Sequence, residues 1–271
     1  MSRIPRAFLK TSTQAYYHIF SHLVNEIPPL RAFEKENFLK ILRRLSQAFY
    51  VDVLAYAIMD NHFHLIIRTH VKDEIDSNEA LERAFSLYPS SVVLQKPSEY
   101  WKEKLCDFSF FLKELKQRFA QWYNKIKERK GPVWRARFYS ILIEDQKNLI
   151  AALAYVDLNP FKAGITYTLE TYRWISYTDK KINKESCGFP LYKEVGISFE
   201  RYESLLKSTI ALRSKEKTGM EELKSNQLIW LIVKYRTDGI VLGTKQFVEE
   251  VLAGLRFRRK IKQEFLEYCF A

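Results

Sequence analysis

Cysteine is scarce in this chain. Three residues, Cys106, Cys187 and Cys269, are scattered through 271 positions without C-x-x-C spacing, which excludes a disulfide framework and a cysteine zinc site. Glycine and proline number only eight each, and no internal repeat or low-complexity tract occurs, so collagen-like and repeat architectures are excluded. No apolar run approaches the ~20 residues that cross a bilayer, and the opening MSRIPRAFLKTSTQ has no signal-peptide core. The expectation is a cytoplasmic, nucleoid-associated protein with no membrane partner. A G-x-x-x-x-G-K-[ST] phosphate loop is also missing, so no helicase motor accompanies whatever the chain does. Acidic residues fall short of basic ones, 32 against 44, and the net charge of +12 favours a polyanionic partner such as nucleic acid.

What is present is a substantial apolar and aromatic content, 47% and 15%, enough for a large core. AYYHIFSHLVN (15–25) predicts a strand, and PPLRAFEKENFLKILRRLSQAF predicts a helix with Phe33, Phe38, Ile41, Leu42 and Leu45 on one side. VDVLAYAIMD and HFHLIIRTH predict two further strands joined by a tight turn at Asp60 and Asn61. Residues 71–106 read as a partly helical insertion. Asp107 is placed to cap a helix carrying Phe111, Leu115, Phe119 and Trp122 on one face, and GPVWRARFYSILIE (131–144) follows as a strand. Asp145 is placed to cap QKNLIAALAYVDLNP, which Pro160 is expected to stop near Asn159. Beyond KKINKESCGFP (180–190) the pattern predicts helices only. The fold class is therefore α+β, a central antiparallel sheet with helices over residues 1–180, followed by an all-helical C-terminal domain over 181–271. The stretch SNQLIWLIVKYRTDGIVLGTKQFVEEVLAGL and its basic tail RFRRKIK suit either a helix-turn-helix-like DNA binder or a dimerisation cap.

Within the third strand His62 and His64 lie one residue apart and so share a sheet face, with Phe63 opposite. Two imidazoles on one face suit a divalent metal or form a plain polar pair. Tyr155 and Asn159 stand four apart on one helix face, where each also has an ordinary structural reading in packing or at the helix end. Lys113, Lys116, Arg118, Lys125, Lys127, Arg129, Lys130, Arg135 and Arg137 are interleaved with Trp122, Tyr123 and Trp134, a composition that can track phosphates and stack on unpaired bases. Lys116, Lys125, Arg135 and Arg137 are the first DNA-binding candidates, the two arginines because they share a predicted strand face. His18, His22 and His70 read as structural or surface histidines.

The order of the pieces, with N-H-F-H-L-I-I at 61–67, W-R-A-R-F at 134–138, Y-x-x-x-N-P-x-x-A-G at 155–164 and Y-x-W-x-S at 172–176, resembles the single-tyrosine HUH transposases, in which U is a large apolar residue, and in particular their REP-associated branch. The likeness covers about residues 10–178. It implies an HUH endonuclease domain of ferredoxin-like (RRM-like) type. It also implies that Tyr155 attacks single-stranded DNA to leave a 5′-phosphotyrosine, with His62, His64 and Asn159 holding Mg²⁺ or Mn²⁺. Hairpin DNA and a second copy in a homodimer are the implied partners. Asn stands where related transposases often have Gln, so Asn159 reaches the metal directly, through water, or serves only to shape the helix end. The competing readings are a domesticated binder of DNA or RNA hairpins that makes no adduct, a replication or mobilisation initiator, and a hydrolase that uses water.

Overall fold

A computed structural model describes residues 14–182, 195–214 and 241–254. The predicted helix at 225–236, most of the 180–190 linker and the basic tail at 256–262 lie outside these residues, and the helix-turn-helix reading with them.

The core is a five-stranded sheet in the order β2-β3-β1-β4-β5. The strands are β1 (Ala15–His22), β2 (Val51–Ile58), β3 (His62–Thr69), β4 (Tyr139–Ile143) and β5 (Val241–Leu242). All pairs are antiparallel except the parallel pair β4 and β5. Nearly every residue of β1, β2 and β3 is buried, because helices cover both faces. On one face α1 (Ala32–Ala48) and α5 (Phe108–Ile126) pack Phe38, Leu42, Phe111, Leu115 and Phe119 against Tyr17, Ile19, Phe63, Leu65 and Ile67. Each such large apolar side chain contributes roughly 1.5–3 kcal/mol on burial. On the other face α6 (Gln146–Asp157) presents Leu149, Ala152, Leu153 and Val156 to Ala55, Ala57, Ile66 and Ile143. The capping expectations hold: Asp107 accepts from Ser109 N at 2.7 Å, and Asp145 from Asn148 N at 2.7 Å.

The 71–106 insertion folds into a short 3₁₀ turn and helices α2 (Ser77–Leu87), α3 (Ser90–Val93) and α4 (Ser98–Cys106). After α6 come α7 (Asn159–Lys162), α8 (Ser176–Ile182), α9 (Phe199–Ser214) and α10 (Lys245–Gly254).

Four expectations are corrected. Phe33 is 61% exposed rather than on the core face of α1: it sits in the first turn, where its ring meets Trp122 at 5.5 Å. The predicted strand at 131–144 forms only from Tyr139 onward. Before it, Pro132 brings no N–H, Trp134 turns inward against Phe38, Phe63 and Phe119, and Lys116 Nζ captures the Ala136 carbonyl at 2.7 Å, so the backbone makes an isolated bridge, Trp134 opposite Leu23, and no continuous ladder. Arg135 and Arg137 therefore do not share a strand face. α6 ends at Asp157, close to the stop expected near Asn159, but the path stays helical beyond it: Pro160 lies in the first turn of α7, where a missing N–H costs nothing, and the path ends at Gly164, whose φ is +69°. The C-terminal region is not all helical, because Val241–Leu242 of β5 pair beside Leu142–Ile143 of β4. Glu144 fixes this junction, its N–H donating to Leu242 O at 2.9 Å and its carboxylate accepting from Thr244 Oγ1 at 2.9 Å.

Candidate functional site

The register of β1 against β3 builds the site. Phe20 lies opposite His64, His22 opposite His62 and His18 opposite Ile66, so four histidines come to one sheet face. His18 Nε2 and His64 Nδ1 are 2.9 Å apart. The His22 and His62 rings stack at 5.0 Å, and the His62 and His64 rings meet edge-on at 4.9 Å. His62 Nδ1 donates to Asn61 Oδ1 at 2.6 Å, leaving its Nε2 lone pair for another partner. When His64 Nδ1 carries the proton it donates to His18 Nε2 and its own Nε2 is left in the same condition.

Burial disfavours the charged form of these rings. It pushes His18 down to about 3, aided by the nearby Lys162 charge. His62 falls to about 4 for the same first reason, with His22 adding to the shift and Asp60 opposing it. His64 is held well below the ordinary imidazole range by burial and then by its histidine neighbours. His22 is lowered by burial and by Arg135.

The turn before His62 is clamped from behind. Lys35 of α1, buried, donates to Asp60 Oδ1 at 2.6 Å and to the Tyr172 hydroxyl at 2.9 Å, and Tyr172 donates to Ile58 O at 2.7 Å. Trp174 O accepts from Ile58 N at 2.9 Å and Ser176 Oγ from Tyr56 N at 3.2 Å, so the Y-x-W-x-S segment straps the β2 edge beside the turn.

From α6, Tyr155 reaches the same face, its ring 5.7 Å from that of His18 and 5.9 Å from that of His64. Because the helical path continues through Pro160, Lys162 comes back over Tyr155 with Nζ 3.9 Å from the ring centroid. Asn159, one turn beyond Tyr155, is buried, and its Nδ2 has no hydrogen-bond partner. Asp157, between them, is fully buried and accepts from Ser176 Oγ at 2.7 Å, Tyr177 N at 3.0 Å and the Tyr202 hydroxyl at 2.7 Å, which ties α6 to α8 and α9.

The structure thus brings His62, His64 and Tyr155 together and adds His18, His22 and Lys162, which the sequence reading left out. Four-residue spacing on a strand puts His18 and His22 on one face, the single signal that could have found them. His70 lies elsewhere, bound to Asp52 at 2.7 Å. Of the basic candidates, Arg135 is exposed at the rim beside His22, whose carbonyl accepts its N–H at 3.0 Å, and Arg137 is exposed two residues on. Lys116 braces the loop through Ala136 and Trp134, and Lys125 is exposed on α5.

Among the described residues, no three His, Cys, Asp or Glu side chains are placed to hold a metal ion. A divalent ion nevertheless fits the donor set chemically. Two imidazoles have their Nδ1 atoms engaged, which leaves Nε2 on each as a ligand atom, whereas the orphaned Asn159 Nδ2 is a donor suited to a phosphate or water oxygen and not to the ion itself.

No protein-family model and no curated protein matches the sequence. Among the solved structures that are similar is a REP-associated tyrosine transposase bound to a REP hairpin, at 15% identity and a TM-score of 0.49, covering 70% of this chain and 92% of that one. No described helix is long and apolar enough to cross a membrane.

Proposed function

We propose that this chain cuts and rejoins single-stranded DNA through Tyr155, as a single-tyrosine HUH transposase of the REP-associated kind acting beside hairpin-forming DNA. The observation that carries the reading is the meeting of Tyr155 with the histidine face and with Lys162. The phenolic oxygen attacks phosphorus in line, a P–O bond to Tyr155 forms and the P–O3′ bond breaks. The phenol's proton is lost, the departing 3′ oxygen takes one up, and a 5′-phosphotyrosine remains, so the bond energy is kept for rejoining. Mg²⁺ or Mn²⁺, held by His62 and His64 with Asn159 as the third candidate, would supply Lewis-acid charge to the scissile phosphate, and two imidazoles favour Mn²⁺.

An ordinary phenol ionises near pH ~10, so Tyr155 needs positive charge close by. Lys162 provides it, offsetting negative charge that builds on the phenolic oxygen and the phosphate. Lys162→Met is expected to slow adduct formation on the order of 100-fold, the scale of losing one preorganised charge, while Lys162→Arg retains most of the rate; single-turnover kinetics at saturating DNA check this.

His18 orients His64 through their shared hydrogen bond. His18→Leu is therefore expected to weaken Mn²⁺ binding roughly 10- to 100-fold, read by calorimetry or by the electron paramagnetic resonance of free Mn²⁺, with His18→Gln intermediate.

The test of the reading as a whole is incubation of the protein with labelled single strands carrying the palindromes that flank its gene, with Mn²⁺ or with EDTA, resolved on denaturing gels. A metal-dependent covalent adduct supports it. Retarded DNA with no cleavage in any metal overturns it in favour of a hairpin-binding protein.

A further inference from the structure

Tyr139 opens β4 opposite Phe20 of β1, on the histidine face of the sheet. The two rings lie nearly parallel, 9° apart with centroids at 4.8 Å, yet Tyr139 is 47% exposed. One face of its ring is covered by Phe20, and among the described residues the remaining exposure leaves the other face open. Phe20 in turn touches His64 at 5.8 Å and His22 at 5.9 Å between centroids. The open aryl face therefore stands one ring away from the imidazoles where the phosphate chemistry is placed.

The aromatic residues that the sequence offered for stacking are unsuited to it. Tyr123 is buried and Trp122 and Trp134 are half-buried, packed against Phe119 in the core between α1 and α5. Immediately before Tyr139, by contrast, come exposed Arg137 and exposed Arg135, the latter hydrogen-bonded through its N–H to His22 O at 3.0 Å. Their backbone is pinned where Lys116 Nζ holds Ala136 O at 2.7 Å. Cations able to meet phosphates and a free aryl face able to meet a base thus border the same rim.

We propose that Tyr139 is a stacking platform for an unpaired nucleobase next to the phosphate presented to Tyr155. This rests on the single-stranded DNA reading and adds a specificity element to it. A base inside a duplex has both faces covered by its neighbours and cannot lie on Tyr139, so the platform selects unpaired DNA over paired DNA of the same sequence. Tyrosine stacking accepts any base, so the platform adds affinity and strand selectivity without reading sequence.

The experiment uses full-length protein carrying Tyr155→Phe, so that no turnover intervenes, and single strands of the gene-flanking palindrome with 2-aminopurine scanned along the unpaired part. Quenching on adding protein, confined to one or two positions, is expected, with protein causing little further change when the same strand is already annealed to its complement. Adding Tyr139→Leu, which still covers Phe20 but has no π face, is expected to remove the quenching and weaken binding roughly 5- to 150-fold, whereas Tyr139→Phe restores both. Quenching that survives Tyr139→Leu, or binding unchanged by it, overturns the platform. If wild type forms no adduct while quenching depends on residue 139, the platform stands and the transesterification reading falls.

Discussion

Tyr155→Phe is expected to abolish the covalent protein–DNA adduct while leaving affinity for single-stranded DNA near that of wild type. The substitution removes one oxygen from a ring that is only partly buried, so the contacts of that ring with His18 and His64 and its place under Lys162 persist. Removing an enzyme's nucleophile typically costs several powers of ten in rate, and Tyr139, an exposed phenol on the histidine face, is held one ring away from the imidazoles by Phe20. Tyr167, on the loop after α7, is 89% exposed and makes no ring contact with the histidines among the described residues. The measurement is a denaturing gel of the labelled strand against a retardation assay on the same preparation. An adduct formed by Tyr155→Phe would exclude Tyr155 as the nucleophile, and strand cleavage by it without an adduct would mean that water attacks.

The second large effect concerns stability. Asp157 is fully buried at the end of α6 and satisfies three donors, the Ser176 hydroxyl, the Tyr177 N–H and the Tyr202 hydroxyl, each from chain beyond the sheet. Asp157→Ala removes the shared acceptor of all three in an interior that also holds Leu149, Leu153 and Leu206. The expected loss is about 3–5 kcal/mol, which for a chain of this size lowers the melting temperature by roughly 6–20 °C. Asp157→Asn, whose oxygen can still accept from Ser176 and Tyr177 while its NH₂ replaces the acceptor of the Tyr202 hydroxyl, should fall between. Thermal melts followed by circular dichroism decide it, and an alanine variant that melts with wild type would show that the network contributes little. Because Asp157 stands two residues from Tyr155, a partial loss of the network should also lower adduct formation before the fold is lost.

The sheet, its helices and the turn at Asp60 and Asn61 were legible because each depends on local pattern. Aromatic and β-branched content set the strands, helical spacing set α1, α5 and α6, and Asp107 and Asp145 marked where two of those helices begin. The pairing of His62 with His64 followed from the period of a strand alone. What sequence withheld was register. Nothing in AYYHIFSH fixes Phe20 rather than Ile19 opposite His64, and a slip of one residue would have sent His18 and His22 to the α1 face. Lys162 was hidden by Pro160, which looks like a stop until its place in a first helical turn is known. The irregular path of residues 131–138 was hidden because its cause is distant, the Lys116 side chain and the pocket that takes Trp134. β5 was hidden by length, since two residues between glycines carry no periodicity.

The late pairing of Val241–Leu242 with β4 has a consequence for biosynthesis. The β2 edge is closed by Trp174 and Ile175, but the outer edge of β4 waits for chain made almost a hundred residues after Ile143. At a typical synthesis rate of 5–20 residues per second, that edge stands open for roughly 5–20 s. Through that interval the hydrogen-bonding groups of Leu142 and Ile143 are a template for any passing strand. Nascent chains stalled before residue 241 should therefore be the ones that aggregate, while chains released after it should not.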